Sequence, residues 1–442
     1  MKLMPRHLAL LSAAIGSLAT LGCGQAPQPR FQLNMVRMVT SEVNDQSQQE
    51  IANVLAALFG TPDEPYAPAE TGLDPTRLKL AAGAAWRRDD GVGHGLYRRH
   101  CVHCHGISGD GRGPTALFLN PYPRDYRLGK FKFKSTTLAA RPTDADLTRV
   151  LHNGVPGTSM PAFSTLPPSE VESLVEYVKY LAMRGEMETR LAAYVASELG
   201  EVEEEDANGD PILVDGKPKM KHLALDPAGN AEHAAIIKEE LDGIVVAWQE
   251  AADSIVQPKE EEIPVDNRSP QELAASIAAG RELFYNARGN CFSCHGPTGL
   301  GDGQQTDFDD WAAEQKGVVD GITQLADSIA KAEEGELDED GETRVEEDRQ
   351  QLARLQAVAE TFYPLRNAIP RNLRKGVYRG GRRRIDLFHR FHQGIAGTKM
   401  PGLASTLTEA ELWNIVDYVL SLPYEPTSAP QSALMLNPKE IN

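Results

Sequence analysis

"RRHCVHCHGISGDGRGP", residues 98–114, sets two cysteines three positions apart with a histidine directly after the second. The spacing C-x-x-C-H is the attachment signature of a c-type haem, in which both sulfurs form thioethers with vinyl groups and the histidine ligates the iron. Cys101, Cys104 and His105 fit it, and "CFSCH" repeats it with Cys291, Cys294 and His295. Four of the five cysteines thus occupy two identical spacings, which chance does not produce. A four-cysteine zinc site brings its second pair within about twenty residues; here the pairs lie far apart and each has its own histidine. A thioredoxin-like redox pair needs a neighbouring βαβ pattern, which is missing. Two covalently bound haem c groups are the expectation.

Outward from each motif the whole neighbourhood repeats. "HCVHCHGISGDGRGPT" matches "NCFSCHGPTGLGDGQQT", "PYPRDYRLGKFKF" matches "AIPRNLRKGVYRG", and "RVLHNGVPGTSMPAF" matches "HRFHQGIAGTKMPGL", in the same order. From His105 to Met160 is 55 residues and from His295 to Met400 is 105, so the second copy is longer by about fifty. The surplus falls in an acidic Ala/Glu/Gln-rich stretch, 307–361, which reads as an inserted helical hairpin or long loop. As an insertion it should project from the module surface, with the pocket closing beneath it.

Each copy ends on a helix signal. "PPSEVESLVEYVKYL" offers a Ser169-x-x-Glu172 capping box with Val171, Leu174, Val175, Val178 and Leu181 on one face. "LTEAELWNIVDYVLSL" offers Thr408-x-x-Glu411 with Leu412, Ile415, Val416 and Val419. Helices also fit "GHGLYRRH" and "PQELAASIAAGRELFYNA" before the two motifs. Strand patterns are almost absent.

A haem iron needs a second axial group or an open position, and that choice separates electron carriers from enzymes. Both copies offer a methionine in one frame, Gly157-Thr158-Ser159-Met160-Pro161 and Gly397-Thr398-Lys399-Met400-Pro401. A methionine in a Gly/Pro-rich loop has no element to fill, so Met160 and Met400 are assigned as thioether ligands. His152 and His392, each eight residues before its methionine, are the competitors. His94, His100, His103 and His389 have no counterpart in the other copy and are expected at the surface. Buried propionates need donors, and the repeated Pro123-Arg124 and Pro370-Arg371 place a guanidinium at the same point of each copy; Arg124 and Arg371 are assigned to them. The glycines of the "GDG" turns serve backbone geometry.

Each half resembles a class I cytochrome c domain, over about 93–185 and 271–425. That resemblance implies a mainly α fold, two tandem domains of three or more helices around a haem, with the distal methionine in a loop before the C-terminal helix. The paired "GTxMP" loops are similar to those of the dihaem cytochrome subunit of cbb3-type haem-copper oxidases, although that subunit has a transmembrane anchor that this chain lacks. The division expected is a signal peptide (1–22), an N-terminal extension (23–92), the first domain (93–185), an acidic linker (186–270), the second domain (271–425) with its insertion 307–361, and a tail (426–442).

At 442 residues the chain has room for two or three domains, and its 41% hydrophobic and 24% charged content suits a soluble globular protein. "MKLMPRHLALLSAAIGSLATLGCG" places Lys2 and Arg6 before an apolar run, Leu8 to Leu21, too short to span a bilayer and suited to a signal peptide. Cys23 follows directly. The stretch resembles a bacterial lipoprotein signal, with Thr20 where leucine is usual, and implies that Cys23 is lipidated and anchors the protein on the periplasmic side of a membrane; plain secretion is the alternative. Net charge is −18, unevenly spread. Residues 93–141 hold nine Lys/Arg against two Asp/Glu and 364–399 ten against one, while 198–262 hold eighteen acids against five Lys and 307–360 seventeen against five Lys/Arg. The acidic runs read as solvated connectors or as docking surfaces for a basic partner. An exported acidic chain is not a nucleic-acid binder.

The expected function is therefore electron transfer rather than enzymatic catalysis, with two His/Met-ligated haems relaying electrons in a periplasmic respiratory chain. Donors would be of the quinol-oxidising kind and acceptors a terminal oxidase or another periplasmic reductase. The alternative is a dihaem peroxidase-type enzyme, which needs one labile distal ligand.

Overall fold

The computed structural model describes residues 28–424 apart from Ala207, Asp215, Asp266, Glu336 and Leu337. The expected signal peptide, Cys23 and the tail 426–442 lie outside the described residues. The chain is mainly helical, and the strands described are six pieces of two to four residues. No described helix is long and apolar enough to cross a membrane.

Before the first motif come α1 (Met35–Thr40), α2 (Asp45–Phe59) and α3 (Pro75–Ala81). The motif itself occupies the short α4 (Leu96–His100) and α5 (Val102–His105), and α6 (Asp144–Asn153) and α7 (Pro168–Glu198) bracket the first methionine loop. After α8 (Ala231–Gln249) the order is α9 (Pro270–Tyr285), α10 (Cys291–His295), α11 (Asp310–Glu333), α12 (Glu339–Ala359), α13 (Arg384–Gln393) and α14 (Glu409–Ser421).

Two main apolar clusters result. In the second, α9, α13 and α14 bury Phe284, Leu387, Phe388, Leu412, Ile415 and Val416. The crossing of α9 on α14 is close enough that a Cβ on Gly280 would lie 1.9 Å from the Asn414 carbonyl oxygen, so only glycine fits there. Helix α14 starts on the expected reciprocal cap of Thr408 with Glu411, and α9 starts on a matching cap of Ser269 with Glu272.

The first cluster is larger than a domain bounded at 93–185 would give. Met38, Ile51, Leu55 and Phe59 from α1 and α2, Leu78 from α3, and Ile237, Leu241 and Ile244 from α8 pack with Leu174, Tyr177 and Leu181 of α7 into one core. The N-terminal extension is thus a structural part of the first half. The stretch 186–270 is a connector only in part: α7 runs unbroken through residue 185 and α8 turns an apolar face inward beneath its acidic surface, while the described residues of 201–222 between them are mostly exposed. The Ser169–Glu172 capping box does not form. The helix begins at Pro168, whose missing N–H costs nothing in the first turn, and Glu172 instead pairs with Arg77 at 2.7 Å.

The insertion also departs from expectation. It is helical, α11 and α12, but it does not project freely; it bridges to the first half. Val318 of α11 and Leu355 and Val358 of α12 bury Val39 of α1. Asp310 and Asp309 pair with Lys130 and Lys132 at 2.6 and 3.2 Å, and Glu314 pairs with Arg37 at 2.8 Å. Trp311 and Tyr363 close on Tyr122, with ring centroids 5.6 and 5.3 Å away, while Arg112 stacks over Trp311 and donates to the Thr361 carbonyl at 2.9 Å. Acid from the insertion thus meets base from the first copy at Lys130 and Lys132 and from the N-terminal extension at Arg37.

Leu55 is fully buried in the extension. Leu55→Ala is expected to destabilise the folded chain by about 2–5 kcal/mol in chemical unfolding, the range for a leucine truncated in a core; an expendable extension would give a change under about 0.5 kcal/mol.

Candidate haem sites

The two motif histidines are held alike. Nδ1 of His105 donates to the carbonyl of Arg124 at 3.2 Å, and Nδ1 of His295 donates to the carbonyl of Arg371 at 3.1 Å. With the proton so placed, Nε2 keeps the lone pair that a metal needs. Burial pushes His105 down to about 4 and lowers His295 as well, so both rings are neutral near pH 7. The loops that bring each arginine round also match. Gly111 and Gly301 donate to the carbonyls of His105 and His295 at 3.0 and 2.8 Å, and Tyr126 and Leu373 donate to Gly109 and Gly299 at 2.7 and 2.8 Å. Tyr126 then lies flat against the His105 ring, 4.6 Å between centroids.

None of the four motif cysteines is in a disulfide. Burial pushes the Cys101 and Cys291 thiols up to about 12, which keeps them protonated and unsuited to thiolate chemistry. Among the described residues no cluster of three or more His, Cys, Asp or Glu is placed to hold a metal ion by itself. Cys101 and Cys291 are therefore poor candidates for a dithiol redox centre.

The methionine loops are near copies. The Thr158 hydroxyl donates to the Val155 carbonyl at 2.8 Å and accepts from the Met160 N–H at 3.1 Å; Thr398 does the same with Ile395 and Met400 at 2.8 and 3.2 Å. Val155 and Ile395 close the loops by donating to the methionine carbonyls at 3.1 and 3.2 Å. Met160 and Met400 pack against their own cores and line the interior cavity. His152 is exposed and contacts Asn153, and His392 packs on Phe388; neither lines that cavity. Of the histidines expected at the surface, His389 is instead buried and reaches the Val256 carbonyl at 3.0 Å, and His100 is half-buried against Phe163.

A single cavity of about 1370 Å³ joins the two sites. Cys101, Cys104, His105, Met160 and Arg124 line it from the first half, and Cys291, Cys294, His295, Met400 and Arg371 from the second. Its wall carries Arg124, Lys132, Arg366, Arg371, Lys375, Arg379, Arg390 and Lys399 against the carboxylates Asp125, Asp307 and Asp309. Burial drives Lys132 down to about 8 and Arg379 and Arg390 down to about 10, and the Nε atoms of Arg371 and Arg379 are buried without a hydrogen-bond partner. Lys375 and Lys399 are exposed at its edge, but the buried guanidinium groups of Arg371, Arg379 and Arg390 are unfavourable there without anions. Haem propionates are anions of the right kind, so the chemistry of the wall fits the group that the motifs imply.

Sequence reasoning missed Lys132, Arg379, Arg390 and Tyr126, although the basic runs 93–141 and 364–399 carried the signal. It also missed that Asp307, Asp309 and Trp311 of the insertion belong to the cavity wall; nothing local in 307–361 points there.

Residues 89–178 match the family described as Cytochrome C oxidase, cbb3-type, subunit III, in agreement with the resemblance read from the motifs. No curated protein sequence matches the chain. Among solved structures, a chain of the reducing HAO-like protein complex of Kuenenia stuttgartiensis is similar at a TM-score of 0.39 and 21% identity, covering 74% of this chain and 94% of that one.

Thr398→Val keeps the shape of the side chain but removes a hydroxyl that both donates and accepts. It is expected to cost about 1–3 kcal/mol, because the Met400 N–H and the Ile395 carbonyl lose a partner. Thermal unfolding of Thr398→Val and of Thr158→Val checks this, with similar losses expected at the two loops.

Proposed function

We propose that this protein, which carries a cytochrome c domain over residues 89–178, is a two-haem electron carrier rather than an enzyme. The observation that carries the reading is the single cavity lined by both C-x-x-C-H sets and both methionines. A haem c with histidine and thioether axial ligands exchanges one electron with little rearrangement and leaves no position for a substrate.

The residues divide the work. Cys101 and Cys104, and Cys291 and Cys294, tether the group covalently. His105 and His295 present Nε2 because the Arg124 and Arg371 carbonyls hold the proton on Nδ1. Met160 and Met400, each held by its threonine, would supply the thioether ligands. Matched loops at both sites favour two closed sites over a peroxidase-type arrangement, which requires one of them to open.

The same reading makes the protein a relay in a periplasmic respiratory chain, between a donor such as a quinol-oxidising complex and an acceptor such as a terminal oxidase or another reductase. It also places the chain at a membrane surface through lipid on Cys23.

Mass spectrometry of denatured protein matured with the haem-attachment machinery is expected to show two haem additions; one or none overturns the reading for at least one site. Ferrous wild type is expected to bind carbon monoxide poorly, and Met160→Ala and Met400→Ala each to bind one equivalent. Ready binding by wild type would favour the peroxidase alternative. Cys23→Ser is expected to move the protein from the membrane fraction to the soluble periplasm, and an unchanged distribution sinks the lipid anchor.

A further inference from the structure

Arg124 and Arg371 were expected to serve the half they come from, yet their side chains cross. The main chain of Arg124 holds His105, but its guanidinium lies at the second methionine loop: a Cβ on Gly397 would sit 3.4 Å from Arg124 Nη1. Arg371 does the converse. Its carbonyl holds His295, and its guanidinium lies so close to the first methionine loop that a Cβ on Gly157 would sit 2.5 Å from Nη2. Gly157 and Gly397 stand three residues before Met160 and Met400. Both arginines line the shared cavity, and Nη2 of Arg371 donates to the Val377 carbonyl at 3.3 Å, which fixes its course.

The electrostatic surroundings differ. Asp309, Asp125 and Asp310 face Arg124 and temper its charge, whereas Arg379 lies beside Arg371 and adds to it. Removing either guanidinium therefore makes the facing loop more negative, which favours the oxidised, more positive state of an iron held there.

Resting on the two-haem reading, we propose that Arg124 and Arg371 are exchanged positioning residues: each orients the proximal histidine of its own half through its carbonyl and sets the reduction potential of the opposite half's haem through its guanidinium. Neither half is then an independent redox unit. One residue touches the histidine of one site and the methionine loop of the other, so the two potentials are coupled by construction.

The test is a redox titration of the holoprotein carrying Arg124→Gln or Arg371→Gln. Each is made in Met160→His and Met400→His backgrounds, because loss of the methionine ligand lowers that haem's potential and lets the two titrate apart. Arg124→Gln is expected to lower the potential of the second haem, and Arg371→Gln that of the first. The expected size is about tenfold in the redox equilibrium, or about 59 mV for one electron, with a shift under a third of that at the arginine's own half. Arg→Lys at either position should restore most of the shift, which a packing defect would not allow. Larger shifts at the arginine's own half, equal shifts at both, or no rescue by lysine would each overturn the exchange. A single haem by denatured mass spectrometry would instead overturn the two-haem reading, and this inference with it.

Discussion

A buried imidazole that must keep its proton on Nδ1 needs a fixed acceptor, and both halves supply it from the main chain of an arginine. Much of the surrounding structure serves that bond. The turns after each C-x-x-C-H bring the chain back within reach of the histidine, with Gly111 and Gly301 donating to the histidine carbonyls. The apolar clusters behind them exclude the water that would otherwise compete for the ring. Burial is also what lowers both motif histidines and raises the Cys101 and Cys291 thiols, so one physical condition acts alike on the two sites.

The second condition is charge. The cavity wall gathers basic side chains that acid from the insertion only partly offsets. Lys130 and Lys132 meet Asp310 and Asp309, Arg37 meets Glu314, and Arg112 stacks on Trp311. These contacts tie the halves by electrostatics and aromatic packing, beside the small apolar cluster of Val39, Val318, Leu355 and Val358. An acidic insertion in one copy and a basic run in the other are parts of one arrangement.

Much of this was legible in the sequence, and what was not has a physical cause. The motifs, the methionine loops and the cap at Thr408 are local patterns whose neighbours in sequence are neighbours in space. The inward face of α8 was legible too, since Ile237, Leu241, Ile244, Val245 and Trp248 keep helical spacing. Its acidic surface hid that face from a reading by charge. Ser169 failed as a cap because two prolines start the helix ahead of it. The crossing of Arg124 and Arg371, and the meeting of Trp311 with Tyr122, join residues far apart in the chain, and no periodicity or spacing encodes them.

The bridging insertion also bears on how the molecule comes to be assembled. Chains fold domain by domain, the N-terminal part first. The wall formed by Asp307, Asp309 and Trp311 emerges long after Cys101, Cys104 and His105, so the first motif spends most of that interval in an open cleft. The same residues follow the second motif by 12–16 positions, but its methionine, Met400, comes 105 residues after His295. Sequence order thus leaves both sides of the cavity incomplete until late in the chain: the first lacks Asp307, Asp309 and Trp311, and the second lacks Met400. In chain order α13, the second methionine loop and α14 follow the acidic helices and complete the wall.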